Sequence, residues 1–231
     1  MDDAGVDAAV VVQAIGAYGY DCSYAIDAVG AAPDRLALVV AVDMAGPDPT
    51  GALRAMAERA PVRAVRVFGV GHADPGWLTN GRGLDLWKAS ADLGIGTVPT
   101  LWGRDLPLLR PLIEAVPSVP AAIDHCGFPE LADGPPFTDL DNLLALADLP
   151  AVHLKVSTHV LAPMGDGADL VDLLAELFGP ERVCWGSDHP QTDSMPYAAM
   201  VDLGRHAARR LSPAAQDAFL AGTARRLWFE G

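Results

Sequence analysis

Seven short runs of apolar, largely β-branched residues recur along the chain, at positions 9–14, 36–42, 64–68, 95–101, 121–124, 152–156 and 183–185. Each run reads as a strand buried on both faces, because apolar residues continue without the alternation of a half-exposed strand. Their starts lie 26 to 31 residues apart, close to the roughly 30 residues of a strand, helix and return strand. The segments between them carry helical spacing: Leu53, Met56 and Ala60 in residues 49–60, and Leu140, Leu143, Leu144 and Ala147 in residues 138–149.

Alternating strands and helices with short connections require a parallel sheet, and right-handed crossovers then allow a doubly wound sheet or a closed barrel. The even spacing favours the barrel. No strand runs into a Gly-x-Gly-x-x-Gly turn, and polar groups gather at several strand ends rather than at one switch point. The expected fold is therefore an α/β (β/α)8 TIM barrel with seven of its eight strands in this chain. The expectation for the start is that the chain enters inside the first unit, with residues 2–6 as the last turn of a helix and Gly5 as its cap. Open edges at the first and last strands would then invite self-association, for example as a homodimer. No composition shift marks a second domain, so residues 1–231 read as one unit.

In a barrel, chemistry sits where strands end. The strand-end candidates are Gln13 and Tyr18; Asp43; Arg66 and His72; Thr100 and Trp102; Asp124 and His125; His153, Lys155 and Ser157; and Asp188 and His189. Asp188 follows a strand and the turn-forming Gly186, ahead of Pro190. A carboxylate there can take a proton from water or ligate a metal; capping the following helix is the alternative. Lys155 is one of only two lysines. The period of two puts it on one face with His153 and Ser157, so it either looks into a polar barrel mouth or pairs with a carboxylate inside. Arg66 carries the same two readings, ion pair or anion recognition. His125 could form an acid/base couple or half a metal site with Asp188. His72 lies in a glycine-rich loop, and His159 and His206 read as structural or surface residues.

Composition narrows the partners. Thirty acidic against sixteen basic residues give a net charge of -14, which repels nucleic acid and anionic membranes. No apolar run is long enough to span a bilayer, and the first residues lack a signal-peptide pattern, so the expected location is cytoplasmic. Cys22, Cys126 and Cys184 share no metal-like spacing and read as packed thiols.

Together, these runs resemble the amidohydrolase-related family of TIM-barrel, metal-dependent hydrolases, in particular its lactonase-like branch. Ala64-Val-Arg-Val67 is similar to the family's Gly-Val-Arg strand, Ile123-Asp-His-Cys-Gly127 to its Asp-His-x-Gly strand, and Leu154-Lys-Val-Ser157 to its Lys-x-Ser strand. Cys184-Trp-Gly-Ser-Asp-His-Pro190 resembles the final Trp-Gly-Ser-Asp signature, and Thr223-Ala-Arg-Arg-Leu-Trp228 the terminal helix. The resemblance implies a hydrolase opening a lactone or similar cyclic ester of a carboxylated small molecule with activated water. A decarboxylase and a barrel without activity are the alternatives. It also implies catalytic roles for Asp188 and His125, and substrate contacts for Arg66, Lys155, His189, Trp102 and Tyr18. The family implies a divalent metal, Zn or Mn, yet the His-x-His pair of its first strand has no counterpart here. Thr100-Leu-Trp102 and Phe128 also stand where relatives often carry a histidine and a basic residue. Only His125 and Asp188 remain as ligands, and a tight site would need others.

Overall fold

A computed structural model describes residues 1–71, 73–131, 134–191 and 195–230. All seven expected strands are present: β1 Ala9–Val12, β2 Leu36–Ala41, β3 Val62–Gly69, β4 Gly96–Leu101, β5 Ala121–Ile123, β6 Val152–Ser157 and β7 Val183–Gly186. They pair in sequence order, every pair parallel, as one curled sheet of half-barrel form. Parallel neighbours need a crossover, and helices supply most of them, among them Ser23–Ala31, Pro49–Arg59, Arg82–Leu93 and Ala168–Phe178.

The period of two divides each strand between two cores. Leu38, Val40, Val65, Val67, Ile123 and Leu154 join the large cluster that also contains the helices' apolar residues, such as Leu53, Leu86 and Leu174. The alternate positions Ala37, Val39, Ala64, Val98 and Ala122 form a separate, smaller cluster with the half-buried Val10 and Val12. Trp228 closes that second cluster, with Ala224, Leu227 and Phe229 beside it. The chain's last helix thus fills the concave side of the sheet, and Gly96 leaves room for it. A Cβ at Gly96 would lie 3.1 Å from the Trp228 ring.

Local chemistry accounts for the element ends. The carboxylate of Asp48 accepts from the Gly51 N–H at 2.8 Å and Pro49 opens the helix, so the expected 49–60 element forms as Pro49–Arg59. Residues 2–4 make one 3-10 turn capped by left-handed Gly5, φ 66°. The expected helix over 138–149 does not form as one piece. It appears as the 3-10 turn Thr138–Leu140 and the short helix Asp141–Leu144, followed by 3-10-like turns. Arginines from other segments take up its last carbonyls: Arg110 donates to Ala145 O, and Arg182 donates to Ala147 O at 2.9 Å and Leu149 O at 2.8 Å. Arginines thereby satisfy carbonyls at the end of the segment, of which only that of Ala145 would have a partner inside an α-helix ending at residue 149.

Candidate active site

The concave face changes character toward the strands' C-terminal ends. On β3, Ala64 is followed two residues on by Arg66; on β4, Val98 by Thr100; on β5, Ala122 by Asp124; and on β6, His153 by Lys155 and Ser157. The small apolar layer therefore gives way to a polar one, and that layer is organised around Asp124.

Asp124 is fully buried. One carboxylate oxygen receives hydrogen bonds from the Arg66 guanidinium and, at 3.0 Å, from the Thr100 hydroxyl, which in turn accepts from Arg66 Nε at 2.9 Å. The other is ion-paired with Lys155 Nζ. Burial alone would raise the Asp124 carboxyl, but Lys155 and Arg66 outweigh it and hold the group far below the usual carboxylate range. Arg66 also lies over the Phe68 ring, 4.5 Å from its centroid. The lysine and arginine that the sequence offers as anion binders are thus both engaged with one internal carboxylate.

Asp188 is different. Its side chain keeps 18% exposure, and its Oδ1 lies 3.7 Å from both His125 Nε2 and Lys155 Nζ. Among the described residues no hydrogen-bond donor reaches its carboxylate directly. Burial pushes its carboxyl upward, against the pull of Lys155. It does not cap the next helix among the described residues, which begins at Tyr197 after Pro196.

His125 links the two carboxylates. Its Nε2 is 3.5 Å from Asp124 Oδ1 and 3.7 Å from Asp188 Oδ1, and its Nδ1 is 2.7 Å from Ser157 Oγ. Burial, then Lys155, lower its pKa to about 3, so the ring is neutral at pH 7. The backbone at both strand ends is left-handed at non-glycine residues: His125, Cys126 and Phe128 with φ between 51° and 57°, and Asp188 with φ 57°. Such conformations cost about 1–3 kcal/mol each and gather at functional sites. Here they turn His125 and Asp188 toward the same spot.

Aromatic rings border the site. Phe128 lies 4.7 Å from His125 and 5.2 Å from Trp102, and His159 lies 5.6 Å from both His125 and Phe128, centroid to centroid. Trp102 therefore stands at the rim through Phe128. His159, read from sequence as structural or surface, is exposed and lies beside this rim; its four-residue helix, Thr158–Leu161, starts where β6 ends. Tyr18 is half exposed and stacks on Tyr24 at 5.2 Å, while exposed His189 packs edge-on against Tyr197. Among the described residues neither has a recorded contact with the Asp124 cluster. His72 lies outside the described residues.

The remaining candidates have structural work. Gln13 donates to Gly19 O and Asp21 O, Asp43 accepts from Ala45 N, and His153 bonds to Ala151 O. His206 faces Asp166 at the surface. Cys126 and Cys184 are buried with their thiols pushed up, Cys184 to about 12, so neither is a nucleophile at neutral pH. A cleft of about 430 Å3 opens between the helices Ser23–Ala31 and Pro49–Arg59. Its carboxylates Asp21, Asp43 and Asp48 are spent on turns and a helix cap.

Two features were only partly legible in advance. Asp124 stood among the strand-end candidates with no role, since nothing in a sequence marks which acid two cations will share. Ser157 was visible as the residue two past Lys155 on the same face, which is the signal that could have found it.

Comparison with known proteins gives a consistent result. The family model described as Amidohydrolase matches residues 1–229. No curated protein gives a significant sequence match. Among solved structures, a probable 2-pyrone-4,6-dicarboxylic acid hydrolase from Acinetobacter baumannii with citric acid bound superposes with a TM-score of 0.79 at 19% identity, covering 98% of this chain and 85% of that one. An amidohydrolase from Burkholderia multivorans with bound zinc gives 0.76 at 22% identity, covering 98% and 84%. A 5-carboxyvanillate decarboxylase from Novosphingobium aromaticivorans with bound manganese gives 0.73 at 13% identity, covering 98% and 78%.

Zinc and manganese thus occur in structural relatives, and the donors here can be tested against such an ion. Asp124, His125 and Asp188 converge, but the Lys155 ammonium is ion-paired with Asp124 and stands near Asp188. With Asp124 taken, His125 and Asp188 are left of these three among the described residues, where zinc sites use three or four protein ligands. Among the described residues, no group of three His, Cys, Asp or Glu side chains is arranged to hold a metal. The donor set of the described residues does not fit such an ion, and the steps below are derived for side chains alone.

Proposed function

We propose, for a chain that belongs to the amidohydrolase family, that the Asp188 site hydrolyses a lactone or similar cyclic ester of a carboxylated small molecule. The observation that carries this reading is the contrast between two neighbouring carboxylates. Asp124 is saturated by cations and held ionised, whereas Asp188 is partly open, pushed upward by burial and free of direct hydrogen bonds from described residues. Environments that drive two titratable groups apart assign them different tasks. Asp124 anchors the cations; Asp188 exchanges the proton.

In the proposed cycle Asp188 takes a proton from a water molecule as the water oxygen attacks the ring carbonyl. Negative charge then develops on the carbonyl oxygen. His125 Nε2 and Lys155 Nζ both lie 3.7 Å from Asp188 Oδ1, so both are placed to steady that oxyanion. The ring C–O bond breaks, the leaving oxygen collects the proton from Asp188, and one water has been consumed to give a hydroxy acid. A raised carboxyl suits the first proton transfer, because Asp188 is a stronger base than an ordinary aspartate, and it still holds the proton less firmly than the leaving oxygen that collects it.

The net negative chain gives no general attraction for a carboxylate substrate, so recognition falls to the local cations. Arg66 and Lys155 each keep some exposure, 13% and 19% of their side chains, while bonded to Asp124. They can offer remaining N–H groups to a substrate carboxylate at the mouth.

The test is the origin of the product oxygen. Incubation of carboxylated five- and six-membered lactones in 18O-labelled water is expected to place one label in the newly formed carboxylate. Release of carbon dioxide from carboxylated aromatic acids, with no lactone opened, would replace this reading with decarboxylation.

A further inference from the structure

We propose that Ser157 is a positioning residue that fixes the tautomer of His125, so that His125 presents Nε2–H, a hydrogen-bond donor, to the reacting carbonyl. The proposal rests on the hydrolytic reading for its consequence, but its geometry stands on the resting protein.

A neutral imidazole carries one N–H, and the partner of each nitrogen decides which one. His125 Nε2 faces Asp124 Oδ1 at 3.5 Å and Asp188 Oδ1 at 3.7 Å. Both are oxygens of carboxylates, and Asp124, bonded to two cations, is ionised and accepts only. A lone pair on Nε2 would face two carboxylate oxygens, whereas a proton there is attracted by both. Nδ1 must then accept, and its partner is Ser157 Oγ at 2.7 Å.

A serine hydroxyl can donate or accept, so the fit depends on whether its proton has another place to go. Ser157 is fully buried at the end of β6. Among the described residues its hydroxyl has no hydrogen-bond partner other than His125 Nδ1. Donation to Nδ1 therefore satisfies the buried hydroxyl and the imidazole together. The opposite tautomer would leave the serine proton without an acceptor and set the Nε2 lone pair against Asp124. Ser157 never meets the substrate in this arrangement. It acts through His125, and the same proton that makes Nε2 a donor keeps that nitrogen from serving as a metal ligand.

The experiment is 15N NMR of histidine-labelled protein, in wild type, Ser157→Ala and Ser157→Thr, joined to lactone kinetics. The His125 resonances, assigned by their loss in His125→Gln, are expected to report the Nε2–H tautomer in the wild type. They should move toward a mixture in Ser157→Ala and return in Ser157→Thr, which restores the hydroxyl. The kinetic expectation is a fall on the order of tenfold in kcat for Ser157→Ala with KM little changed. That is smaller than the ~10²–10³-fold typical of deleting an oxyanion donor outright. A wild-type Nδ1–H tautomer, or an unchanged tautomer in Ser157→Ala, overturns the proposal. The expected tautomers in a protein that opens no lactone would support the role of Ser157 while refuting the hydrolytic reading, so the two failures are separable.

Discussion

Asp124 and His125 are adjacent in sequence, and their shared surroundings hold both unprotonated, the one as an anion and the other as a neutral ring. Asp124 stays ionised because Lys155 and Arg66 compensate its burial, and His125 stays neutral because burial and the same cations disfavour a further positive charge. The consequence for stability has a definite sign. An ordinary histidine titrates near 6.5, and His125 in the folded chain near 3. Between these values the unfolded chain binds a proton that the native chain does not. The stability linked to His125 is thus complete above pH 6.5 and is lost progressively as pH falls toward 3. Urea midpoints measured from pH 7 to 4 should decline in the wild type and decline less steeply in His125→Gln. Asp124, whose folded pKa is also depressed, adds a loss of the same sign at lower pH, below the ordinary carboxylate value. Removing its partner is a harsher test: Lys155→Met should destabilise the chain by about 3–5 kcal/mol, the usual cost of leaving one member of a buried pair. Chemical denaturation measures it, and a change below about 1 kcal/mol would mean that Arg66 and Thr100 suffice to hold Asp124.

At the scale of elements, strands were easier to read than helices. A parallel strand buried on both faces announces itself by composition, and each of the seven apolar runs became a strand with ends shifted by a few residues. The spacing within β6, with His153, Lys155 and Ser157 on one face, also carried into the structure, because the strand's period is fixed by backbone geometry. The 138–149 segment was misread for an equally physical reason. Its leucines do bury at helical intervals, and Leu140, Leu143, Leu146 and Leu149 are all in the core. The backbone between them follows arginines from other segments, and no local pattern reports those. Arg182 ties the end of this segment to the helix Ala168–Phe178, as it donates to the carbonyls of Ala147, Leu149 and Phe178. Arg182→Ala should cost about 1–3 kcal/mol in a urea titration, since buried carbonyls would lose their donors.

Across the whole molecule, the sheet divides into a lower concave layer of small apolar side chains and an upper polar layer around Asp124. Trp228 closes the lower layer from the opposite end of the sequence. Such closure could not be read from periodicity, because residues 223–228 look like any amphipathic terminal helix. Trp228→Ala should lower stability by about 3–5 kcal/mol, the range for truncating a buried aromatic. Calorimetry would show it as a drop in Tm. In a molecule organised this way one small core joins Val10 and Val12 of β1 to Trp228, more than 200 residues later in the sequence.

The most direct test of the account is the hydrolysis of carboxylated lactones by wild type and Asp188→Asn, compared at equal folded concentration and after exhaustive chelation. Replacement of a proton-accepting carboxylate by an amide of the same shape is expected to reduce kcat by ~10²–10⁴-fold, with Tm maintained and no effect of the chelator on the wild type. Asp188→Asn retaining wild-type turnover would contradict the assignment of Asp188 as the group that activates water.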